Sequence, residues 1–211
     1  MNVLQLFEHA DVAYGGVVPW GGRVPLSGPG IYVVSTAADP TTADGLPDCP
    51  VDESAVSALL IARPEATVDG AAATVESLTS RLAAMWPARE TVAYVGLASR
   101  SVGTRMAQFY RTEYGARGPH AGGWPVKMLA PPDGMWVHFG ATGEYAHAEM
   151  AMLDVFMAQL TPDVRGALVD PALPLPFANL MHPGGRRKAH GVGRVKAGRG
   201  ASPGGGGRRV G

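Results

Sequence analysis

Glu149 is the residue whose placement most suggests chemistry. On a helical wheel at about 100° per residue, Leu153 falls about 40° from Glu149, and Phe156 and Leu160 fall about 20° from it. Glu149 therefore shares a stripe with apolar side chains. A carboxylate there is costly unless it pairs with a cation or binds a metal; the competing reading is a place near the helix start, close to solvent and the positive end of the dipole. A second group lies upstream. Residues 100–127 contain Arg100, Arg105, Arg111, Arg117, Lys127 and His120 against a single acid, Glu113. Phe109, Tyr110, Tyr114 and Trp124 are interleaved with them. Cations among stacking surfaces suit a nucleic-acid groove, although residue by residue an ordinary solvated helix face would read the same. Tyr32 and Tyr94 each sit beside a glycine on a β-prone run, and Asn179 follows Pro171, Pro174 and Pro176.

The elements that must position these residues can be read from periodicity. Residues 31–36 and 91–97 are β-branched and aromatic and predict two strands. Thr104 can cap a helix over 105–114, and 145–160 is the longest helical pattern. Residues 125–129 and 135–139 read as two further short strands, and residues 3–10 as a short helix or strand. Between the first two strands lie 54 residues, 37–90. They hold a loop, a helix over 53–62 capped by Asp52, and a helix over 74–86 with Val75, Leu78, Leu82 and Met85 at helical spacing. Strands and helices mix without strict alternation, which predicts an α+β fold with a small sheet flanked by helices.

Charge divides the chain. Residues 1–183 carry 10 Lys/Arg and 18 Asp/Glu, a net −8, while residues 184–211 carry 8 Lys/Arg and no acid. Eleven of those last 28 residues are glycine. Such a stretch cannot bury a core and reads as a basic, disordered tail. Arg186, Arg187 and Lys188 make it a candidate phosphate-binding arm, or simply a solubilising one. Cys49 is the single cysteine, which excludes an intramolecular disulfide and a cysteine metal site. No signal-peptide pattern opens the chain and no apolar run approaches the roughly 20 residues of a membrane span, so a cytoplasmic protein is expected.

Gly30-Ile31-Tyr32 and Tyr94-Val95-Gly96 together resemble the two strand motifs of the GIY-YIG nucleases. The resemblance covers roughly residues 28–36 and 91–182. It implies a small antiparallel sheet flanked by helices within a 1–183 catalytic domain, with 37–90 as a helical insertion and 184–211 as the tail. It further implies an arginine on the helix after the second motif, a place Arg105 occupies, a metal-binding glutamate on a later helix, Glu149, and a closing asparagine, Asn179. Two positions differ from the usual pattern: Leu97 stands where many members have lysine, and Phe109 where Tyr or His is common. Tyr110, Tyr114 or His120 would then supply the polar group.

The implied activity is a divalent-metal-dependent endonuclease acting on nucleic acid, DNA first. Glu149 would hold one Mg²⁺ or Mn²⁺, Arg105 would stabilise charge on the phosphate, and Tyr32 or Tyr94 would orient or deprotonate the attacking water. Arg100, Arg111, Arg117, Lys127 and the 186–188 cluster would bind the backbone. The rivals are a non-cleaving nucleic-acid-binding module of the same fold and a protein-interaction scaffold built on 37–90.

Overall fold

Two β-prone runs pair directly to form the middle of the structure. In the computed structural model, which describes residues 1–116, 123–130 and 134–194, β2 (Gly30–Ser35) and β5 (Val92–Ala98) are antiparallel neighbours. Tyr32 stands opposite Gly96, and Val34 opposite Tyr94. The other side of β2 pairs antiparallel with β6 (Trp136–Ala141), and β1 (Gly16–Pro19) completes the order β1-β6-β2-β5. β5 is thus an edge strand.

Alternation along these strands sends side chains to two layers. Ile31, Val33 and Val95 pack with Phe7 of α1 (Val3–His9) and with Leu153 and Phe156 of α5 (Tyr145–Gln159). Tyr32, Val34, Tyr94 and Phe139 face the opposite layer, with Met106 and Phe109 of α4 (Val102–Arg111) and the core residues of 37–90. The protein is α+β, with small antiparallel sheets and six helices among the described residues. None of those helices is long and apolar enough to cross a membrane.

Residues 37–90 are more than helical. α2 (Glu53–Ala62) is capped by Asp52, and α3 (Val75–Ala83) opens with a reciprocal Thr74–Ser77 capping box. Between them β3 (Ala66–Val68) and β4 (Ala71–Ala72) form a hairpin. Its two-residue turn is Asp69-Gly70, with φ of 50° and 84°, the left-handed pair that favours Asp-Gly in tight hairpins. A third strand, β7 (Val192–Arg194), joins β3 on its other side. A short helix, α6 (Pro162–Ala167), follows α5.

Three expectations change. α4 starts at Val102 rather than 105, because Ser101, not Thr104, is the cap: its side chain accepts from the Thr104 N–H at 3.1 Å. Residues 124–128 form a 3₁₀ turn instead of a strand, entered through Gly123 at φ 69° with Pro125 in the first turn, where a fixed φ suits a helix start. Residues 184–194, expected in the tail, belong to the fold through β7 and the buried Lys188; residues 195–211 lie outside the described part.

Candidate functional site

The local fold explains why Arg105 meets the tyrosines. The loop before β2 presents two carbonyls to the start of α4: Val102 N–H donates to Gly28 O at 3.1 Å and Gly103 N–H to Leu26 O at 2.8 Å. With Ser101 receiving Thr104, the N–H groups that a helix start usually offers an anion are occupied. An anion at this end of α4 would have to be met by side chains. The same contacts fix α4 against β2, placing Arg105 one turn in.

Tyr32 and Tyr94 lie on one face of the β2–β5 ribbon, their ring centroids 6.0 Å apart. Gly96 makes this approach possible. A methyl group at Gly96 would come within 2.6 Å of the Tyr32 ring carbon and hydroxyl and 2.7 Å of the Tyr94 ring. The Phe109 ring lies 6.0 Å from Tyr94 on its other side and 5.2 Å from Trp20.

The Tyr32 hydroxyl is shut away from solvent within hydrogen-bonding reach of Tyr94 and Arg105, and Arg105 Nε is buried without a partner. Arg105 is nevertheless near enough to favour the ionised form of both tyrosines. Burial outweighs it: the Tyr32 hydroxyl is pushed well above its ordinary 10, and Tyr94 to about 12, with Glu149 adding to the rise at Tyr94. Glu149, partly buried at the fifth residue of α5, is itself pushed up to about 7 by loss of solvent, and Arg105 pulls the other way. Four residues from four elements thus share one electrostatic neighbourhood. Both tyrosines are neutral at neutral pH, so neither is a ready base.

Arg105 also lines a cleft of about 480 Å³ with Leu97, Ser99, Arg100, Thr104 and Gln108. This cleft lies at the C-terminal half of β5, where the strand's edge is open. At Val95 that edge is closed by Asn179: its Nδ2 donates to Val95 O at 2.8 Å, and its Oδ1 accepts from Val95 N–H at 2.9 Å. Ala178 N–H donates to Ala93 O at 2.8 Å. Asn179 is buried and acts on the backbone flanking Tyr94.

The remaining candidates divide. Arg100 is exposed on the cleft, and Arg186 and Arg187 are exposed elsewhere. Arg111 is exposed but turns back to the Ala107 carbonyl at 3.1 Å. Tyr110 packs edge-on against Trp20 at 5.0 Å, and Tyr114 lines a separate cavity with Arg63 and Trp124; neither joins the tyrosine pair. Lys127 donates to the Tyr110 and Thr112 carbonyls and sits 5.9 Å above the Phe109 ring, so its charge holds the end of α4. Lys188 is buried, which removes it from any phosphate-binding surface. Arg117 and His120 lie outside the described residues. Sequence reasoning did not single out Ser99 and Gln108, or Thr104 as more than a cap, because a loop hydroxyl and a helical hydroxyl and amide carry no signal of lining a cleft.

Among the described residues no group of three or more His, Cys, Asp or Glu comes together. The chain matches no family model, no curated protein and no solved structure.

Proposed function

We propose that the protein is a divalent-metal-dependent endonuclease of GIY-YIG type, cutting phosphodiester bonds of nucleic acid, DNA first. The observation that carries this reading is the convergence of Tyr32, Tyr94, Arg105 and Glu149 from β2, β5, α4 and α5, with each acting on the ionisation of another.

A lone carboxylate suits Mg²⁺ or Mn²⁺, which are commonly bound by one or two carboxylates, with water and substrate phosphate filling the other positions. Glu149 also fits as a donor: burial leaves its charge under-compensated, and a cation beside it would restore the ionised form. Such an ion, held by Glu149, would supply positive charge to the phosphate and the leaving oxygen. The chain's own groups do the rest. Arg105 faces the cleft with a fork of donors suited to two phosphate oxygens. The neutral Tyr32 and Tyr94 hydroxyls orient the attacking water. Asn179 holds the Tyr94 backbone in register. Arg100, and the basic residues beyond the described part, add backbone affinity that weakens with salt.

A second reading, binding without cleavage, is favoured by Phe109, whose apolar ring occupies the flank of Tyr94. Incubating supercoiled plasmid with the protein and Mg²⁺ or Mn²⁺ separates the two. Nicking that stops in Glu149→Gln supports the enzyme. Salt-sensitive binding with no nicking in either metal supports the module. Absence of both leaves the interaction scaffold built on 37–90.

A further inference from the structure

The segment before Asn179 poses a hydrogen-bonding problem. Residues 173–179 are all buried, yet Pro174 and Pro176 have no N–H and the segment is in no regular element. Buried carbonyls must find donors. Those of Leu175, Pro176 and Phe177 find one atom: Lys188 Nζ, at 3.2, 2.8 and 3.1 Å. The lysine is 5 % exposed. Its ammonium has three donors and no acceptor capacity, a match to three convergent carbonyls that a planar guanidinium would not reproduce.

The chain around Lys188 is shaped to deliver it. Lys188 N–H donates to Leu180 O at 3.0 Å, and His182 N–H to Arg186 O at 2.8 Å, which folds 180–188 back on itself. Asp170 accepts from Leu173 N–H at 3.2 Å and from Ala189 N–H at 2.7 Å, one residue beyond Lys188. Burial pulls the Lys188 ammonium down to about 7, and the Asp170 carboxylate works against that pull in favour of the charged form.

We infer that Lys188 is a positioning residue of the site: it gathers the carbonyls of 175–177 and so sets Ala178 and Asn179 against Ala93 and Val95, on either side of Tyr94. The chain of contacts is continuous. Three carbonyls bind Lys188, the next residue's N–H binds Ala93, and the side chain of the one after binds both backbone groups of Val95. The consequence for catalysis rests on the nuclease reading; the effect on Tyr94 does not.

Amide hydrogen exchange read by NMR tests this without nucleic acid. In Lys188→Met, the Val95 N–H should exchange at least about tenfold faster. The Gly15 and Trp20 amides, bonded to the Phe139 and Met135 carbonyls at the far side of the sheet, should keep their wild-type rates. The Lys188→Met, Asn179→Ala double variant should exchange at Val95 no faster than Asn179→Ala alone, since one acts through the other. Lys188→Gln keeps two N–H donors on a neutral chain. It should give an intermediate rise, and it carries the same comparison if the methionine variant does not fold. Unchanged exchange at Val95, an equal rise at Gly15 and Trp20, or additive effects in the double variant would overturn the proposal. In the plasmid assay Lys188→Met should lose at least tenfold in kcat with KM unchanged. A loosened Val95 with wild-type cleavage would refute the catalytic consequence. A loosened Val95 in a protein whose wild type never cleaves would refute the nuclease reading and leave the positioning role standing.

Discussion

Glu149→Gln should stabilise the protein at alkaline pH while removing the activity. Glu149 titrates at about 7 in the folded chain, against an ordinary 4.5. The folded state therefore holds its proton more tightly than the unfolded state does. Below about pH 4.5 the carboxyl is protonated in both states and contributes no difference. Between 4.5 and 7 the unfolded chain ionises first, and stability falls as pH rises. Above 7 both are ionised, and the folded state bears the full cost of the charge. At about 1.36 kcal/mol per pKa unit this cost is roughly 3 kcal/mol. Glu149 keeps some solvent contact, so ~2 kcal/mol is the better expectation after screening. Glutamine keeps the shape without the charge. Urea denaturation of both proteins from pH 4.5 to 8.5 should show curves that coincide at the acid end and separate by ~2 kcal/mol above pH 7, the variant being the more stable. Saturating Mg²⁺ at pH 8 should recover part of that gap in the wild type alone, because only the ionised carboxylate gains from the cation. An equally stable or less stable Glu149→Gln protein at pH 8 would falsify this account of the carboxylate and point to a direct ion pair with Arg105.

Four other variants probe the same neighbourhood. Tyr32→Phe deletes a buried hydroxyl that meets Tyr94 and Arg105, so it should cost about 1 kcal/mol while nicking falls at least tenfold; unchanged stability would mean that the hydroxyl makes no net bond. Asn179→Ala strands the N–H and C=O of Val95 and should cost about 2–4 kcal/mol in urea denaturation. Gly96→Ala drives a methyl group into both tyrosines and should cost about 1–3 kcal/mol, with altered Tyr94 ring resonances; wild-type resonances would show that the ribbon yields easily. Truncation after Arg194 removes four cations but leaves β7. Melting should be unchanged, and the log–log salt slope of DNA binding should fall by up to about 4; equal low-salt affinity would eliminate the arm.

The parts of the fold legible in the sequence are those with a single local cause. Asp52 caps its helix where its side chain predicts, and Glu149, Leu153 and Phe156 share a stripe because a 15-residue helix obeys its period. The β3–β4 hairpin was available too, in Val68-Asp69-Gly70-Ala71, but its strands of three and two residues are too short to show alternation. The start of α4 was misplaced because Ser101 and Thr104 are both competent caps. The choice between them is made by Leu26 and Gly28, more than 70 residues away in sequence. Lys188 reads from the sequence as part of a phosphate-binding arm, and the structure buries it. It sits among Arg186, Arg187 and eleven C-terminal glycines, a composition that reads as solvated, and only its distance to three carbonyls reveals a buried role.

Two costs fall in one place, and together they bear on what the site is for. Arg105 Nε is buried and unsatisfied, a penalty of about 1–3 kcal/mol. Glu149 adds a carboxylate that the folded state resists ionising. Glutamine at 149 would relieve the second of these without changing the packing. A scaffold that works through α2, α3 and their hairpin has no use for such groups on the far side of its core, and the phosphate grip of a binding module needs Arg105 and Arg100 but not a carboxylate that repels its ligand. A reaction that requires a cation, an oriented water and a charge-stabilising guanidinium around one phosphate would use all four groups. That is why the endonuclease reading is preferred over both alternatives, even with Phe109 beside Tyr94.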